Sequence, residues 1–470
     1  MGSQSPLRVM SWLADTATLS RLQFAVTAIF HMLWPVLTTG LAIFLVIVEG
    51  MWLRTRNPDY YHHARFWSKL YVLNFGIGVA SGLPMEFQIG TNWAPFSEAV
   101  GDFFGSILGF EGAMAFMLEA GFLGIMLFGW NRVPPPIHYL ATMMVAFGAN
   151  LSTFWILAAN SWMQTPAGTL LQDGHFQVLD YFRIIFNPFM VVSVSHMFLA
   201  TLETSLFMVG GISAWYLLRD REAEFFRRSF VIVLSALIAI APLQIWVGHL
   251  SGEQVWEYQP TKLAAMEAQW KTIPAGETAP WSVLAWPDTQ AETNRWSLEV
   301  PQALGWILEF QPRLSRPLKG LSEWEPRDRP SMVGLVFYAF RVMVGIGFAL
   351  AGLMLLTGLQ WLRGRLTRDR WLLWGWVLAA PLGYIAVESG WIVRCVGRQP
   401  WLVYGQLRTL DSASDVPAGA VASSLGTFLL LYSVLFVTAL FFGRRILLKG
   451  PDRQLPLPET IPAEPAVVES

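Results

Sequence analysis

Nine stretches of this 470-residue chain are apolar over about 19–20 residues or more, the length needed to cross a bilayer. That repetition constrains the fold more than any other feature of the sequence. The stretches lie near residues 22–48, 70–89, 108–130, 138–160, 188–217, 228–248, 332–359, 371–393 and 425–443. Lipid offers no partner to a free backbone N–H or C=O, so each stretch is expected as a helix. The first is too long for a signal peptide and lacks a small-residue cleavage site, so it reads as a retained helix. The expectation is an all-α integral membrane protein with nine transmembrane helices.

Composition agrees. Only 14% of residues are charged, against about a quarter in soluble domains. Aromatic residues at 14% exclude an intrinsically disordered chain. The net charge of -1 gives no electrostatic reason for nucleic acid as a partner. The lipid bilayer is the expected surroundings.

Orientation follows from the Lys/Arg bias of short loops. Basic residues collect after the first span (Arg54, Arg56, Arg65, Lys69), the fifth (Arg219, Arg221, Arg227, Arg228), the seventh (Arg363, Arg365, Arg368, Arg370) and the ninth (Arg444, Arg445, Lys449). Residues 90–107 hold no Lys or Arg. Every second connection is therefore basic, which puts the N-terminus outside and the C-terminus in the cytoplasm. The expected organisation is helices 1–6 within 1–248, an outer segment at 249–331, helices 7–9 within 332–445 and a disordered cytoplasmic tail at 446–470. An outer connection that long in a compact membrane protein is expected to be functional.

The single cysteine, Cys395, excludes an intrachain disulfide, a four-Cys cluster and C-x-x-C-H haem attachment. Ionisable side chains within spans are expensive and default to function. The set comprises His31, Glu86, Glu111, Glu119, His196, Glu203, Arg341 and Glu388. At about 1.5 Å per residue, His31, His196 and Met343 lie roughly 12–17 Å from the outer membrane surface. Glu111 and Glu388 lie within about 8 Å of it. Five chemically capable residues on five helices thus gather in the outer half of the membrane. Glu111 and Glu119, about two turns apart on one side of a helix, suit a carboxylate proton relay. Two histidines, His31 and His196, lie well inside the expected spans, too few for a haem–copper centre. No His pair has the spacing of a bis-histidine haem bundle. A multi-haem protein on this chain must use mixed axial ligands, such as His with Met or a carboxylate.

Several strings resemble subunit I of the cytochrome bd quinol oxidases. They are SRLQFAVTAIFHMLWPVLTTG (20–40), MEFQIGTNW (85–93), EGAMAFMLEA (111–120), GANLSTFWILAANSWMQTPAG (148–168), GISAWYLL (211–218), TKLAAMEAQW (261–270), FRVMVG (340–345), AVESGW (386–391) and GRQPW (397–401). The resemblance runs in order from about residue 20 to 445.

The resemblance implies a haem-binding bundle and a set of site residues. His196 and Met343 match the axial pair of a low-spin haem b. His31 matches the axial ligand of one high-spin haem, and Glu388 that of the other. Of these two, one is a high-spin haem b and the other either haem d or a further haem b. Glu111 and Glu119 match the acidic pair linked to proton delivery. Arg341 matches an arginine that steadies the low-spin centre through haem propionates, and Arg398 of GRQPW a cofactor-binding arginine. Lys262 and Glu267 match residues of quinol oxidation. The implied activity is a quinol:oxygen oxidoreductase of the bacterial cytoplasmic (inner) membrane, electrogenic and without copper, using ubiquinol or menaquinol and O2. The implied partners are a multi-spanning subunit II and a very small single-helix subunit. Two features depart from better-known members. Tyr384 stands where they carry Trp, and the outer segment from Gly248 is short, similar to the branch called cyanide-insensitive. A secondary transporter would show an inverted repeat with broken helices, which is not found. A non-catalytic membrane subunit would be colourless.

Overall fold

The computed structural model describes residues 15–366 and 368–458. Among these, nine helices are long and apolar enough to span a membrane. They are α1 Thr16–Thr55, α2 Pro58–Thr91, α3 Gly101–Phe128, α4 Pro135–Gln164, α5 Met190–Leu217, α6 Ala223–Tyr258, α7 Val333–Leu362, α8 Arg370–Val396 and α9 Ala418–Lys449. Each expected span lies on one of them, though several helices run further: α2 begins at Pro58 and not near 70, and α6 ends at Tyr258 and not near 248. Strands occur only as short antiparallel pairs, β1 Thr169–Gln172 with β2 His175–Val178, β3 Trp281–Asp288 with β4 Thr293–Val300, and β5 Trp401–Val403 with β6 Leu407–Arg408.

Local chemistry sets the helix starts. Asp15 caps α1 by accepting from the Thr18 amide at 3.1 Å. Asn57 caps α2 ahead of Pro58, whose missing N–H is no loss in the first turn.

Close approach then assembles the bundle around α5, which packs against α1, α4, α6 and α8. A Cβ added at Gly40 of α1 would lie 2.4 Å from Ser205 of α5. One at Gly211 of α5 would lie 2.6 Å from Ala380 of α8. With no hydrophobic force between helices in lipid, such small-residue contacts let backbones approach and dispersion hold them.

Two helices depart from regularity. In α3, residues Glu111–Phe116 form a π-helical turn. In α8, helical hydrogen bonding is interrupted at Ala380–Pro381, between Arg370–Ala379 and Leu382–Val396, because proline lacks the N–H that would continue the ladder.

The outer segment is not a loose loop. α6 runs on to Tyr258, and a short helix Pro260–Met266 follows it. The β3–β4 hairpin and a helix at Ala303–Glu309 complete a folded cap. Its apolar residues, among them Trp256, Leu263, Met266, Trp270, Leu304 and Leu308, form one core with Val333 and Val336 of α7 and Val393 of α8.

The C-terminal boundary also differs from expectation. α9 continues to Lys449, beyond the tail boundary expected at 446, since Arg221 donates to the Leu448 and Lys449 carbonyls at 2.8 and 3.2 Å. Residues 450–458 dock onto the bundle, with Arg453 bonded to Asp59 at 2.8 Å. The remainder of the expected tail lies outside the described residues.

Candidate functional site

The four residues expected as iron ligands come from α1, α5, α7 and α8, and three of them face a glycine of a neighbouring helix. A Cβ at Gly82 of α2 would lie 2.9 Å from Cε1 of His31, and one at Gly248 of α6 would lie 3.4 Å from Cε1 of His196. A Cβ at Gly390 of α8 would lie 3.0 Å from the Met343 sulfur. Glycine at 82 and 390 lets backbone come close against the imidazole and the thioether. The His196 Nδ1 and the Glu388 Oε2 are buried with no hydrogen-bond partner among the described residues. Buried polar atoms in proteins are nearly always satisfied, so two orphans on adjoining helices mark a place where a further group binds. α8 carries Glu388 and, two residues on, the glycine that meets Met343; a single helix thus connects two of the expected ligands.

A cluster of cations lies outward of His196. Lys262 is buried and donates to Gln164 Oε1 at 2.6 Å. Arg394 of α8 donates from Nη1 to Ser193 at 3.0 Å and from Nε to Asn160. Its Nη2 has no partner, nor do Nε and Nη1 of the buried Arg398. Burial, with the positive neighbours Arg394 and Arg398, holds the Lys262 ammonium well below its ordinary range, opposed only by Cys395. Buried charges are normally paired. Three cations with three unused guanidinium donors and no carboxylate therefore fit the acid groups of an anionic cofactor. Ser193 precedes His196 by three residues, about 4.5 Å along α5, so the cluster sits where the two propionates of a haem on His196 would reach. The donor set fits a haem.

Arg341, which the resemblance gives to haem propionates, has its guanidinium on the outer cap: Nη2 donates to Glu267 Oε2 at 2.6 Å and Nε to the Ser282 carbonyl at 2.9 Å, with the Met266 carbonyl at 3.3 Å from Nη1. Arg341 and Met343 are about 200° apart around α7. Lys262 and Glu267 likewise point inward, 2% and 4% exposed. They are the inner wall of the cap.

The acidic pair is held by separate partners. Glu111 accepts from Ser152 of α4 at 2.6 Å and Glu119 from Tyr71 of α2 at 2.5 Å. Two α-helical turns take about 7.2 residues, leaving positions eight apart out of register. A π turn takes up an extra residue, so the turn at Glu111–Phe116 brings the two carboxylates back onto one line. The sequence reading missed that turn, because nothing in EGAMAF signals it. Glu203 is buried on α5, seven residues from His196. Glu86 is exposed.

The reading also missed Arg394, visible in WIVRC as a cation at the end of a span, and a buried pair near the opposite ends of the helices. In that pair His138 Nδ1 lies 2.6 Å from Glu49 Oε1, and Thr142 donates to Glu49 Oε2 at 2.6 Å. His138 is 1% exposed on the first turn of α4, and His63 of α2 is buried as well, so helix histidines other than His31 and His196 are also enclosed.

Comparison with known proteins names the family. The sequence model described as cytochrome bd terminal oxidase subunit I matches residues 19–451. This chain belongs to that family. It is 36% identical to the cytochrome bd-II ubiquinol oxidase subunit 1 of Escherichia coli, covering 93% of this chain and 97% of that one. It is equally 36% identical to the cytochrome bd ubiquinol oxidase subunit 1 of Bacillus subtilis, over 92% and 94% of the two chains. The bd oxidase structure from Geobacillus thermodenitrificans superposes with a TM-score of 0.84 at 30% identity, covering 93% of this chain and 99% of that chain. As a bd oxidase subunit I, the chain is a multi-pass protein of the bacterial inner membrane and part of a terminal quinol oxidase. Membership implies haem cofactors, a subunit II partner, quinol and oxygen.

Proposed function

We propose that this chain carries the full redox path of a quinol:oxygen oxidoreductase, taking electrons from quinol at the outer face and delivering them to oxygen through three haems. The observation that carries the reading is the cluster Lys262, Arg394 and Arg398, with three unused guanidinium N–H groups and no carboxylate partner among the described residues, one turn outward of the orphaned His196 imidazole. His196 and Met343 would hold a low-spin haem b. His31 would hold one high-spin haem and Glu388 the other, one of them haem b and the second haem d or a further haem b. Bound haem iron supplies one-electron transfer and, where one axial position stays open, reduction of oxygen.

The chain's own residues do the rest. Lys262, Arg394 and Arg398 hold the propionates and so place the low-spin haem against the outer cap. Glu267 and Arg341 form the cap's inner wall beside it, where a quinol loses two electrons and releases two protons outward. Glu119 and Glu111, aligned by the π turn, pass cytoplasmic protons toward the outer half, where water forms. Because electrons enter from outside and protons from within, turnover builds a proton motive force without pumping. The basic loops support the required orientation, with the N-terminus outside. Subunit II covers part of the lipid-facing surface, and a small single-helix subunit is compatible with the exposed apolar face of α9.

The test is a reduced-minus-oxidised spectrum with pyridine haemochrome quantification of the purified complex. Three haems per copy of this chain are expected, and His196→Ala should remove the low-spin α band alone. A far-red band identifies haem d. A correctly assembled complex without haem refutes the proposal.

A further inference from the structure

We propose that Ser81 and Gly82 of α2 position the His31 imidazole, Ser81 by fixing which ring nitrogen carries the proton and Gly82 by fixing the ring's rotation. This rests on the reading of His31 as an axial ligand. The two candidate ligand histidines differ in their surroundings. His196 Nδ1 is buried without a partner, whereas His31 Nδ1 lies 3.1 Å from the Ser81 hydroxyl.

A serine hydroxyl has one proton to give. That of Ser81 goes to the Gly78 carbonyl at 2.9 Å, so toward His31 the oxygen acts as acceptor, beside the same Gly78 carbonyl, which the His31 ring also reaches. Nδ1 is then the protonated nitrogen and Nε2 keeps the lone pair that a metal needs. The Ser81 backbone is fixed independently, since its carbonyl accepts from Tyr432 of α9 at 3.0 Å. The Tyr432 ring stacks on Phe30, the neighbour of His31, with centroids 4.4 Å apart.

Gly82 acts by having no side chain. An added Cβ would lie 2.9, 3.3 and 3.5 Å from Cε1, Nδ1 and Nε2 of His31. These three atoms form one edge of the ring, and that edge is what meets the α2 backbone. Any side chain there turns the imidazole and crowds the nitrogen left free.

A metal-bound histidine that donates its other N–H to an acceptor is a stronger ligand, and loss of such a partner typically costs about 10–100-fold in metal affinity or activity. The Ser81 acceptor makes the His31 imidazole more basic and favours the ferric form of its haem; His196 has no such support. The structure thus gives the oxygen-side histidine a device that the electron-transfer histidine lacks.

The experiment is a spectroelectrochemical titration with haem quantification on the purified complex carrying His31→Ala, Ser81→Ala, Ser81→Thr or Gly82→Ala. His31→Ala should lose one high-spin haem; if it retains every haem, the ligand reading fails and the present inference falls with it. Ser81→Ala should keep its haem content and raise the midpoint of that haem by about 59 mV, a tenfold change in the one-electron equilibrium. The low-spin α band should not move. Ser81→Thr, which keeps the hydroxyl, should behave as the wild type, and Gly82→Ala should deplete the same haem selectively. An unshifted midpoint in Ser81→Ala, with haem content intact and His31→Ala depleted, overturns the inference alone. Should Ser81→Ala lose every haem, Ser81→Cys is compared with Ser81→Thr. A shifted midpoint in the cysteine variant only supports the inference, and identical behaviour of the two overturns it.

Discussion

Removing the Glu267 carboxylate should detach the outer cap from α7 without disturbing the rest of the bundle. The ion pair between Glu267 and Arg341 is 2.6 Å long, with side chains 4% and 8% exposed. Breaking a buried pair by deleting one partner costs about 3–5 kcal/mol, because the other charge stays buried alone. Arg341 would keep the Ser282 and Met266 carbonyls as acceptors, which places Glu267→Ala near the lower end, about 3 kcal/mol. At about 1.4 kcal/mol per tenfold, the open form of the cap becomes on the order of 100-fold more populated. Ser282 lies in β3, so the hairpin should open with Glu267. Hydrogen exchange followed by mass spectrometry reads this directly: amides of residues 281–300 should exchange about 100-fold faster, while those of α1 and α5 stay unchanged. Arg341→Met should give a similar acceleration, and the double variant should fall well short of the sum, since residues in contact couple. Additive effects, or acceleration spread evenly over the bundle, would refute the assignment of Arg341 to the cap and return it to the cofactor.

Three further outcomes follow from the same geometry. Met343→Leu should abolish the normal low-spin α band. Gly390→Ala should shift it in a milder way, because the sulfur 3.0 Å from the new Cβ has to move only a few tenths of an ångström; a Gly390→Ala spectrum as damaged as that of Met343→Leu would contradict this. Gly320→Ala puts a Cβ 2.3 Å from the Trp270 carbonyl oxygen, and overpacking of that kind costs about 1–3 kcal/mol. Quinol oxidation should therefore fail at a lower temperature than in the wild type, and an unchanged thermal profile would count against the close packing. Acid should also loosen the hairpin. The Ala291 amide and Arg295 hold Asp288 below its ordinary 3.8, and Arg329 with Ser322 holds Glu292 below its ordinary 4.5. Groups lowered on folding stabilise the fold above their ordinary values, and this is lost as pH falls through the lower folded-state values. Protection factors in β3–β4, which are corrected for the slowing of intrinsic amide exchange in acid, should fall on acidification below about pH 4.5 and should fall less in Glu292→Gln.

The spans and their number were legible in the sequence because each rests on local chemistry. An apolar stretch of membrane length has to be a helix. Ligand counting could likewise reject bis-histidine haem pairs without any structure. The outer segment was harder, because its Trp- and Pro-rich stretch has no single period; only its contacts with Val333, Val336 and Val393 make it a folded cap.

What tertiary structure alone decided is partnership. The string FRVMVG puts Arg341 two residues from Met343, and the family resemblance gives both to the low-spin haem. The turn of the helix sends them to opposite sides, so the arginine meets Glu267 of the cap while the methionine meets Gly390. Lys262, Arg394 and Arg398 stand far apart in the chain or on separate elements, and only packing shows them as one unpaired cationic cluster. The sequence by itself determined the helices and the residue types they carry, since these depend on neighbours along the chain. Which face each residue turns, and toward whom, depends on helix rotation and on a π turn that no local pattern announces, and this was settled by the packing of the whole bundle.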